Sequence, residues 1–275
     1  DPVMAIVRER FQLVQEALEA LPAPSALHKG LCQADVAIVT LGDHIEAATI
    51  HAATQLKILA NYAVGYNNID LAAARARGLI VTNTPDVLTD ATADLTWALL
   101  LAAARRVVEG DSLVRSGHWT GWSPTQLMGA EVSGKTLGII GMGRIGQAVA
   151  QRAAGFRMQV RYHTRQPMAA ASHLQEWEYR SLKDLLGESD IVTIHLPLTP
   201  STHHLIGARE LSWMRPTAFL INTARGPIVD EGALVEALKT GIIAGAGLDV
   251  YEQEPALHPE LAMLKQVVLL HHLGS

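Results

Sequence analysis

Cysteine is nearly absent from this chain: Cys32 is the only one among 275 residues. A single cysteine excludes an internal disulfide framework and is typical of proteins in a reducing compartment. No catalytic motif surrounds Cys32, so we interpret it as a small buried apolar residue and not as a nucleophile. We therefore expect a cytoplasmic protein.

Membrane-spanning runs and clusters of basic residues are missing as well. The apolar stretch at residues 97–104 is far shorter than the ~20 residues that a membrane-spanning helix needs. The first residues, DPVMAIVRERF, lack the basic segment followed by an apolar one that marks a secretory signal. The formal net charge is -5, which disfavours nucleic acid or an anionic membrane as a partner.

Strand-like and helix-like segments alternate along the chain, which is 49% hydrophobic and long enough for two domains. From residue 34, the β-rich runs ADVAIVTL, LKILANYAV and LIVTNT are separated by segments that favour helix. One long helix is predicted over DATADLTWALLLAAARRVVEGDSLVRSG, with Thr89 or Asp90 as its cap and Gly117 at its end. Six candidate strands follow: TLGIIG, MQVRYHT, SDIVTIHLP, AFLINTA, AGAGLDV and VVLLHH. The pattern predicts an α/β fold in which the second block forms a doubly wound parallel sheet of the Rossmann type.

A glycine-rich turn lies between the first strand of that second block and an amphipathic helix. In LGIIGMGRIGQAVA, Gly141, Gly143 and Gly146 have the G-x-G-x-x-G spacing. The first glycine permits the tight turn, the second lets a pyrophosphate approach the backbone, and the third allows close packing of helix on strand. With a strand before it and a helix after it, the turn indicates dinucleotide binding.

The acidic residue that usually selects NAD is missing. No Asp or Glu occurs between Gly146 and Glu176, whereas an NAD site has one about 20 residues beyond the turn. The second strand ends instead in RYHTRQP, where Thr164 and Arg165 are able to bind a 2′-phosphate. The alternative is that Arg165 is an ordinary solvated charge. We expect NADP(H) in preference to NAD(H).

Three later stretches place polar residues just beyond predicted strands. They are LINTARGPIVDEGALVEALKTG, AGLDVYEQEP and the terminal LLHHLGS. Doubly wound sheets bind ligands at the carboxyl ends of their strands, so an arginine, an acid and a histidine are expected close together there.

These motifs, in this order, resemble the D-isomer-specific 2-hydroxyacid dehydrogenases, with most likeness to the glyoxylate and hydroxypyruvate reductases. The likeness extends from about residue 34 to residue 275 and includes the glycine turn, HLPLTPST, NTARG-x-x-VD, GLDV-x-x-x-EP and H-x-GS. It implies NADPH-dependent reduction of glyoxylate or hydroxypyruvate to glycolate or D-glycerate. It also implies a Rossmann cofactor domain and a smaller, flavodoxin-like α/β substrate domain.

The resemblance assigns a role to each matching residue. Arg225 matches the arginine that holds the substrate carboxylate and carbonyl oxygen, and His272 matches the proton donor, paired with Glu254. This agrees with the chemistry, because reduction of a 2-oxo acid needs a hydride, a proton and a cation for the carboxylate. Val64 and Gly65 match a loop whose backbone amides bind the substrate carboxylate.

Further positions of the motifs match the cofactor site. Asp249 matches the position that contacts the nicotinamide carboxamide, and the remaining matches are Arg144, Ile145, Pro197, Thr223 and Gly274. An isolated Arg, Glu or His at a strand end would more often be structural than catalytic, and the ordered motifs are what favours catalysis by Arg225, Glu254 and His272. We interpret His271 as structural, since the family usually has proline there.

The segment SGHWTGWSPTQLMG at residues 116–129 contains Trp119 and Trp122. In the resembled reductases a similar segment forms an arm across a homodimer, with a tryptophan near the partner's active site. We expect Trp122 to have that role, with ordinary interface packing as the alternative. No metal site is expected: neither H-H pair lies in an H-E-x-x-H or Cys/His arrangement, and His203 and His204 are assigned to a solvated loop.

We expect a substrate-binding domain at residues 1–87, a dinucleotide-binding domain at 88–270 and a return to the substrate domain at 271–275. Because family members have further elements before and after the matching region, the substrate domain is expected to be incomplete at its ends. Two other functions stay open. One is a dehydrogenase for another 2-hydroxy acid, and the other is a nucleotide-gated, corepressor-like binding protein.

Overall fold

The computed structural model describes residues 2–14, 22–168 and 177–274, so Ser275 of the H-x-GS motif lies outside the described residues. The chain divides into two compact units, Asp1–Val87 and Leu88–Ser275. Residues 271–274, which the sequence assigned to a return to the substrate domain, group with the second unit. Among the helices of the described ranges, none combines the length and the apolar character that crossing a bilayer requires.

The first unit contains a small parallel sheet. Strands β1 (Val36–Val39), β2 (Ile58–Asn61) and β3 (Ile80–Thr82) pair in chain order. The described helices of this unit are α1 (Pro2–Arg10), α2 (Pro24–Gln33), α3 (Ala47–Ala52) and α4 (Leu71–Arg77). The core of the unit consists of apolar side chains from these strands and helices, among them Leu31, Ile50 and Leu59.

The second unit contains a parallel sheet of seven described strands. They are β4 (Thr136–Ile140), β5 (Gln159–His163), β6 (Trp177–Tyr179), β7 (Ile191–Ile194), β8 (Phe219–Asn222), β9 (Gly245–Leu248) and β10 (Val267–Leu269). Their order across the sheet is β10-β9-β8-β7-β4-β5-β6. The strands that follow β4 are added first on one side of it, as β5 and β6, and then on the other side, from β7 to β10. Ligands bind at the carboxyl ends of the strands where the strand order reverses in this way, here between β4 and β7.

Helices cover both faces of this sheet. They are α5 (Thr89–Ala104), α6 (Val107–Arg115), α7 (Arg144–Ala153), α8 (Leu182–Glu188), α9 (Ala208–Leu211) and α10 (Glu231–Lys239). One apolar core contains Leu99 of α5 and Val149 of α7, and a second contains Leu185 of α8 and Leu234 of α10. The predicted α/β fold, with a doubly wound parallel sheet and a second, smaller parallel sheet, is confirmed.

The predicted single helix from residue 89 to residue 117 is wrong. It is two helices, α5 and α6, because Arg106 adopts a left-handed conformation with φ 55° and interrupts the helical hydrogen bonds. The amide of Ala130 donates to the carbonyl of Ala104 at the end of α5 (2.8 Å). Asp90 does not cap α5, since its carboxylate pairs with Arg152 of α7 at 3.0 Å.

Strand β6 was also missed by the sequence analysis. It is only three residues long and lies at the edge of the sheet, where its side chains are half-buried or exposed. An edge strand of this length has too few alternating apolar positions to be distinguished from a loop.

Candidate active site

The glycine turn joins β4 to α7 and lies at the reversal of strand order. Gly141 has φ 99°, and a Cβ there would lie 2.5 Å from the carbonyl oxygen of His195. A Cβ at Gly146 would overlap the carbonyl oxygen of Gly141, so glycine is required for α7 to approach this closely. A Cβ at Gly143, by contrast, would meet no atom within 4 Å. The turn thus combines tight packing with an open face at the N-terminus of a helix, which is what pyrophosphate binding needs.

The end of β5 lies beside this turn. His163 is in register with Ile140, and its carbonyl oxygen accepts a hydrogen bond from the amide of Gly141 at 2.9 Å. Thr164 follows at once, with its hydroxyl donating to the carbonyl of Gln166 (2.6 Å), and Arg165 is exposed to solvent. The first residues of α7 complete this part of the site, Arg144 being exposed and Ile145 packing against the apolar core.

Two buried polar residues, Asn222 and Thr223, lie at the end of β8 and the start of the loop that follows it. Asn222 accepts a hydrogen bond from the amide of Ala224 and donates one to the carbonyl of Arg225, both at 3.0 Å. Thr223 shares a hydrogen bond with the hydroxyl of Thr96 in α5 at 2.8 Å. These contacts fix the backbone from which the Arg225 side chain projects.

Arg225 lies close to Glu254 in a poorly solvated environment. Burial lowers the pKa of the Arg225 guanidinium, while the nearby charge of Glu254 acts in the opposite direction. A cation that has lost much of its hydration gains more from an anionic ligand than an exposed one does. The planar guanidinium is thus suited to a small carboxylate, which it is able to bind through two parallel hydrogen bonds.

Glu254 and His272 form a direct pair, as the sequence predicted. The Nδ1 atom of His272 lies 2.8 Å from Oε2 of Glu254, and the amide of Tyr251 donates to Oε1 at 3.0 Å. Burial alone would raise the pKa of Glu254, yet these hydrogen bonds and the charges of His272 and Arg225 hold it below the ordinary value. The carboxylate is therefore ionised at neutral pH, within hydrogen-bonding distance of the imidazole.

Asp249 holds the turn that contains His272. Its fully buried carboxylate accepts the amide of Leu273 on one oxygen (2.6 Å) and that of Gly274 on the other (2.9 Å). Its carbonyl oxygen accepts the amide of His272 at 2.8 Å, and His272 itself has φ 62°. Burial raises the pKa of Asp249, an effect that the two amides oppose. The sequence analysis assigned Asp249 to the cofactor and did not anticipate these backbone contacts.

Two further residues position the same turn and were missed by the sequence analysis. The hydroxyl of Tyr251 donates to the carbonyl of Leu270 at 2.6 Å, and the hydroxyl of Thr92 in α5 donates to the carbonyl of Gly274. Burial raises the pKa of Tyr251 to about 12, so it remains a hydrogen-bond donor at all ordinary pH values. The position of Tyr251 between GLDV and EP was the only available signal for its role.

His195 is another residue that the sequence analysis left without a role. It follows β7 directly, and its Nε2 atom lies 2.9 Å from the hydroxyl of Thr193. Burial lowers the pKa of His195 to about 3, so its ring stays neutral at physiological pH. Its carbonyl oxygen is the atom that excludes a side chain at Gly141. The backbone of His195 thus packs directly against the glycine turn.

Val64, Gly65 and Pro197 make hydrogen bonds through their carbonyl oxygens. In the first unit, the carbonyl oxygens of Val64 and Gly65 accept hydrogen bonds from Asn83 (2.9 Å) and Asn61 (2.7 Å), which fixes their loop. In the second unit, Pro197 is exposed and its carbonyl accepts the hydroxyl of Thr202 at 2.8 Å. Trp122 is 84% exposed.

Comparison with known proteins agrees with this arrangement. The sequence profile of the family "D-isomer specific 2-hydroxyacid dehydrogenase, NAD binding domain" matches residues 97–274. A glyoxylate reductase from Thermococcus gammatolerans is 49% identical, over 98% of this chain and 82% of that protein. A second, from Thermococcus litoralis, is 51% identical over 92% of this chain and 78% of that protein.

A solved structure has the same fold. It is that of an NADPH-dependent glyoxylate/hydroxypyruvate reductase from Sinorhizobium meliloti in complex with NADP and malonate. Its TM-score is 0.80 and its identity 37%, with 89% of this chain and 75% of that chain covered. With a dinucleotide-binding turn at the sheet reversal and a Glu–His pair near a buried arginine, the chain belongs to the D-isomer-specific 2-hydroxyacid dehydrogenase family, whose cofactor is a nicotinamide dinucleotide.

Proposed function

We propose that this chain reduces glyoxylate and hydroxypyruvate, to glycolate and D-glycerate, with NADPH in preference to NADH. The proposal rests above all on the 2.8 Å contact between Nδ1 of His272 and Oε2 of Glu254. This contact occupies one ring nitrogen and leaves Nε2 as the proton donor. The names of the relatives described above support the substrate class.

The residues of the chain account for proton transfer and substrate binding. When bound, a reduced nicotinamide supplies the hydride. Arg225 holds the substrate carboxylate and carbonyl oxygen, and His272 donates its Nε2 proton to that oxygen as it becomes a hydroxyl. Glu254 orients the imidazole through the contact at Nδ1, and Asp249 holds the backbone turn that contains His272. Val64 and Gly65 are proposed to contribute backbone amides to carboxylate binding.

The preference for NADPH rests on Thr164 and Arg165. A dinucleotide fits the described residues, because the open side of Gly143 and the N-terminus of α7 provide for the pyrophosphate. Arg165 is exposed at the end of β5, where an arginine pairs with a 2′-phosphate. The other proposed cofactor-binding residues are Gly141, Arg144, Ile145, Gly146, Pro197, Thr223, Asp249 and Gly274.

Steady-state oxidation of NADPH with glyoxylate, hydroxypyruvate and pyruvate tests the reaction. General acid catalysis contributes roughly 100-fold or more to such rates, so His272→Ala should lower kcat by about that factor. The neighbouring His271 is exposed, and His271→Ala is the matched control that should keep most of the activity. A wild-type protein that binds NADPH and reduces none of the three acids would contradict the proposal and favour a nucleotide-gated binding protein.

The cofactor preference has a separate test. Arg165→Asp should raise the KM for NADPH at least ~10-fold and change the KM for NADH much less, because only NADPH has the 2′-phosphate. Arg75→Asp in α4 makes the same change of charge in the first unit and serves as the control. Equal effects of Arg165→Asp on the two cofactors would show that Arg165 is only a surface charge.

We further propose that the protein is a cytoplasmic homodimer in which the segment at residues 116–129 forms part of the interface. Several apolar side chains of α6 and this segment are exposed in the single chain: Val107, Val108, Val114, Trp119, Trp122 and Met128. Adjacent apolar side chains exposed in this number are typical of a surface that another protein covers. The single cysteine supports the location.

A further inference from the structure

A group of three potential metal ligands lies outside the residues assigned to reduction. The imidazole rings of His203 and His204 have centroids 4.1 Å apart and are tilted by 31°. Nε2 of His204 lies 2.6 Å from Oε1 of Glu252. One potential ligand atom from each of the three side chains lies within 4.8 Å of the other two.

Only the fold brings these residues together. The two histidines follow β7, whereas Glu252 follows β9 and is 48 positions further along the chain than His204. For this reason the H-H pair matched no metal motif in the sequence. In the described residues, the Glu252 carboxylate supplies the third group that the motif search lacked.

The backbone of His204 is held in an unusual conformation. Its φ is 48°, in the left-handed region that residues other than glycine seldom occupy. A hydrogen bond from its amide to the carbonyl of Pro227 (2.8 Å) fixes it there. The side chain of His204 is thereby presented to Glu252 by a rigid backbone, so little reorganisation is needed before a ligand binds.

We propose that His203, His204 and Glu252 bind one divalent transition-metal ion of the zinc class, with water completing the coordination. Two imidazoles and one carboxylate are ligands that zinc prefers, whereas magnesium and calcium prefer oxygen ligands alone. Ligand atoms around tetrahedral zinc are about 3.3 Å apart, given bond lengths near 2 Å. The contact between His204 and Glu252, at 2.6 Å, is shorter than this value and the other separations are at most 4.8 Å. Small side-chain movements therefore admit the ion, which replaces any proton shared between His204 and Glu252.

Residues around Glu252 orient its carboxylate and add negative charge. The amide of Glu231 donates to Oε2 of Glu252 at 3.2 Å, which leaves Oε1 directed toward His204. The carboxylate of Glu231, itself only 7% exposed, accepts the amides of Glu252 and of His258. Hydrogen bonds from neighbouring groups fix the orientation of a metal ligand. The buried carboxylate of Glu231 also favours a cation nearby.

Calorimetric titration of the full chain with Zn²⁺ tests this site directly, without substrate or cofactor. We expect one ion per chain. His203→Ala should weaken Zn²⁺ binding at least ~10-fold, because even the loss of a residue that only hydrogen-bonds to a metal ligand typically lowers metal affinity 10- to 100-fold. Glu252→Gln should do the same while retaining an oxygen for the amide of Glu231. Both side chains are at least partly exposed, so the variants should fold.

Two control variants separate this site from other histidines. His118→Ala removes an exposed histidine that shares a hydrogen bond with Ser116, and His272→Ala removes the proposed proton donor. Both should retain the wild-type affinity for Zn²⁺. Absence of saturable binding in the wild type, or equal affinity in the wild type and His203→Ala, would overturn the proposal. Thermal unfolding gives an independent readout, because Zn²⁺ should raise the Tm of the wild type more than that of His203→Ala.

Discussion

The Glu254 carboxylate accepts hydrogen bonds on both oxygens, from the amide of Tyr251 and from Nδ1 of His272. Burial raises the free energy of its charged form, and these donors together with Arg225 more than offset that cost, so the pKa is lowered. A residue in this position affects two properties. It stabilises the folded state where it is ionised, and it orients the ring of its histidine partner.

Glu254→Gln should change how stability depends on pH. Because the folded-state pKa of Glu254 is lowered, its contribution is present above the unfolded-state value of ~4.3 and is lost as pH falls through the folded-state value. The variant should therefore lose part of the decline in unfolding free energy seen in the wild type below about pH 5. Urea unfolding across a pH series measures this. Glu236→Gln, which removes an exposed carboxylate from α10, is the control.

The same variant should lower kcat for 2-oxo acid reduction roughly 10- to 100-fold, because the imidazole loses the carboxylate that orients it. The KM for NADPH should change little, since Glu254 is not among the proposed cofactor-binding residues. A variant with wild-type kcat and a wild-type pH dependence of stability would contradict both roles of Glu254.

At the scale of secondary structure elements, the strand-turn-helix unit of β4 and α7 contains two glycines with different requirements. A Cβ at Gly146 has no room, because it would overlap the carbonyl of Gly141, whereas a Cβ at Gly143 meets nothing within 4 Å. Gly146 is thus needed for folding of the unit. Gly143 is needed only when a ligand approaches its open side.

Gly146→Ala and Gly143→Ala form a matched pair that separates these requirements. Gly146→Ala should reduce the free energy of unfolding by about 1–3 kcal/mol, the usual cost of forcing a methyl group into a filled core. Gly143→Ala should leave thermal stability nearly unchanged and weaken NADPH binding at least ~10-fold. Calorimetry for unfolding and fluorescence titration for NADPH measure the two effects. Equal loss of stability in both variants would contradict this distinction.

Most strands and the glycine turn were predictable because each depends on residues adjacent in the sequence. Apolar runs of suitable length identified β4, β7 and β8, and the glycine spacing identified the turn. The break between α5 and α6 was not predictable, since it depends on the left-handed conformation of Arg106 and on a hydrogen bond from Ala130. Local helix propensity contains no information about such a distant contact.

At the scale of the whole molecule, α6 and the segment at residues 116–129 expose several large apolar side chains, as surfaces that another protein covers typically do. Among these exposed apolar side chains, Trp122 has the highest exposed fraction, at 84%. Aromatic side chains that become buried at the centre of an interface dominate its binding energy. The homodimer proposed above, if it buries Trp122, would account for the exposure of this side chain in the single chain.

Trp122→Ala should shift the protein from dimer toward monomer, or alter its preference among glyoxylate, hydroxypyruvate and pyruvate by about 10-fold. Light scattering after size-exclusion chromatography and the ratios of kcat/KM measure these outcomes. Trp119→Ala, at a less exposed position of the same segment, is the comparison. A wild-type monomer would contradict the dimer, and a dimeric variant with unchanged preference would leave Trp122 as ordinary packing.

The sequence by itself determined the family, the two α/β units and the motifs that contain Arg225, Glu254 and His272, because these depend on local pattern and on motif order. Only the tertiary structure decided how the side chains meet. The contacts of Asp249 with two backbone amides, and of Glu252 with His204, follow from the spacing of parallel strands. Hydrogen bonds need donor–acceptor distances of about 3 Å, held to within a few tenths of an ångström, and residues far apart in the sequence reach such distances only when the sheet packs against its helices.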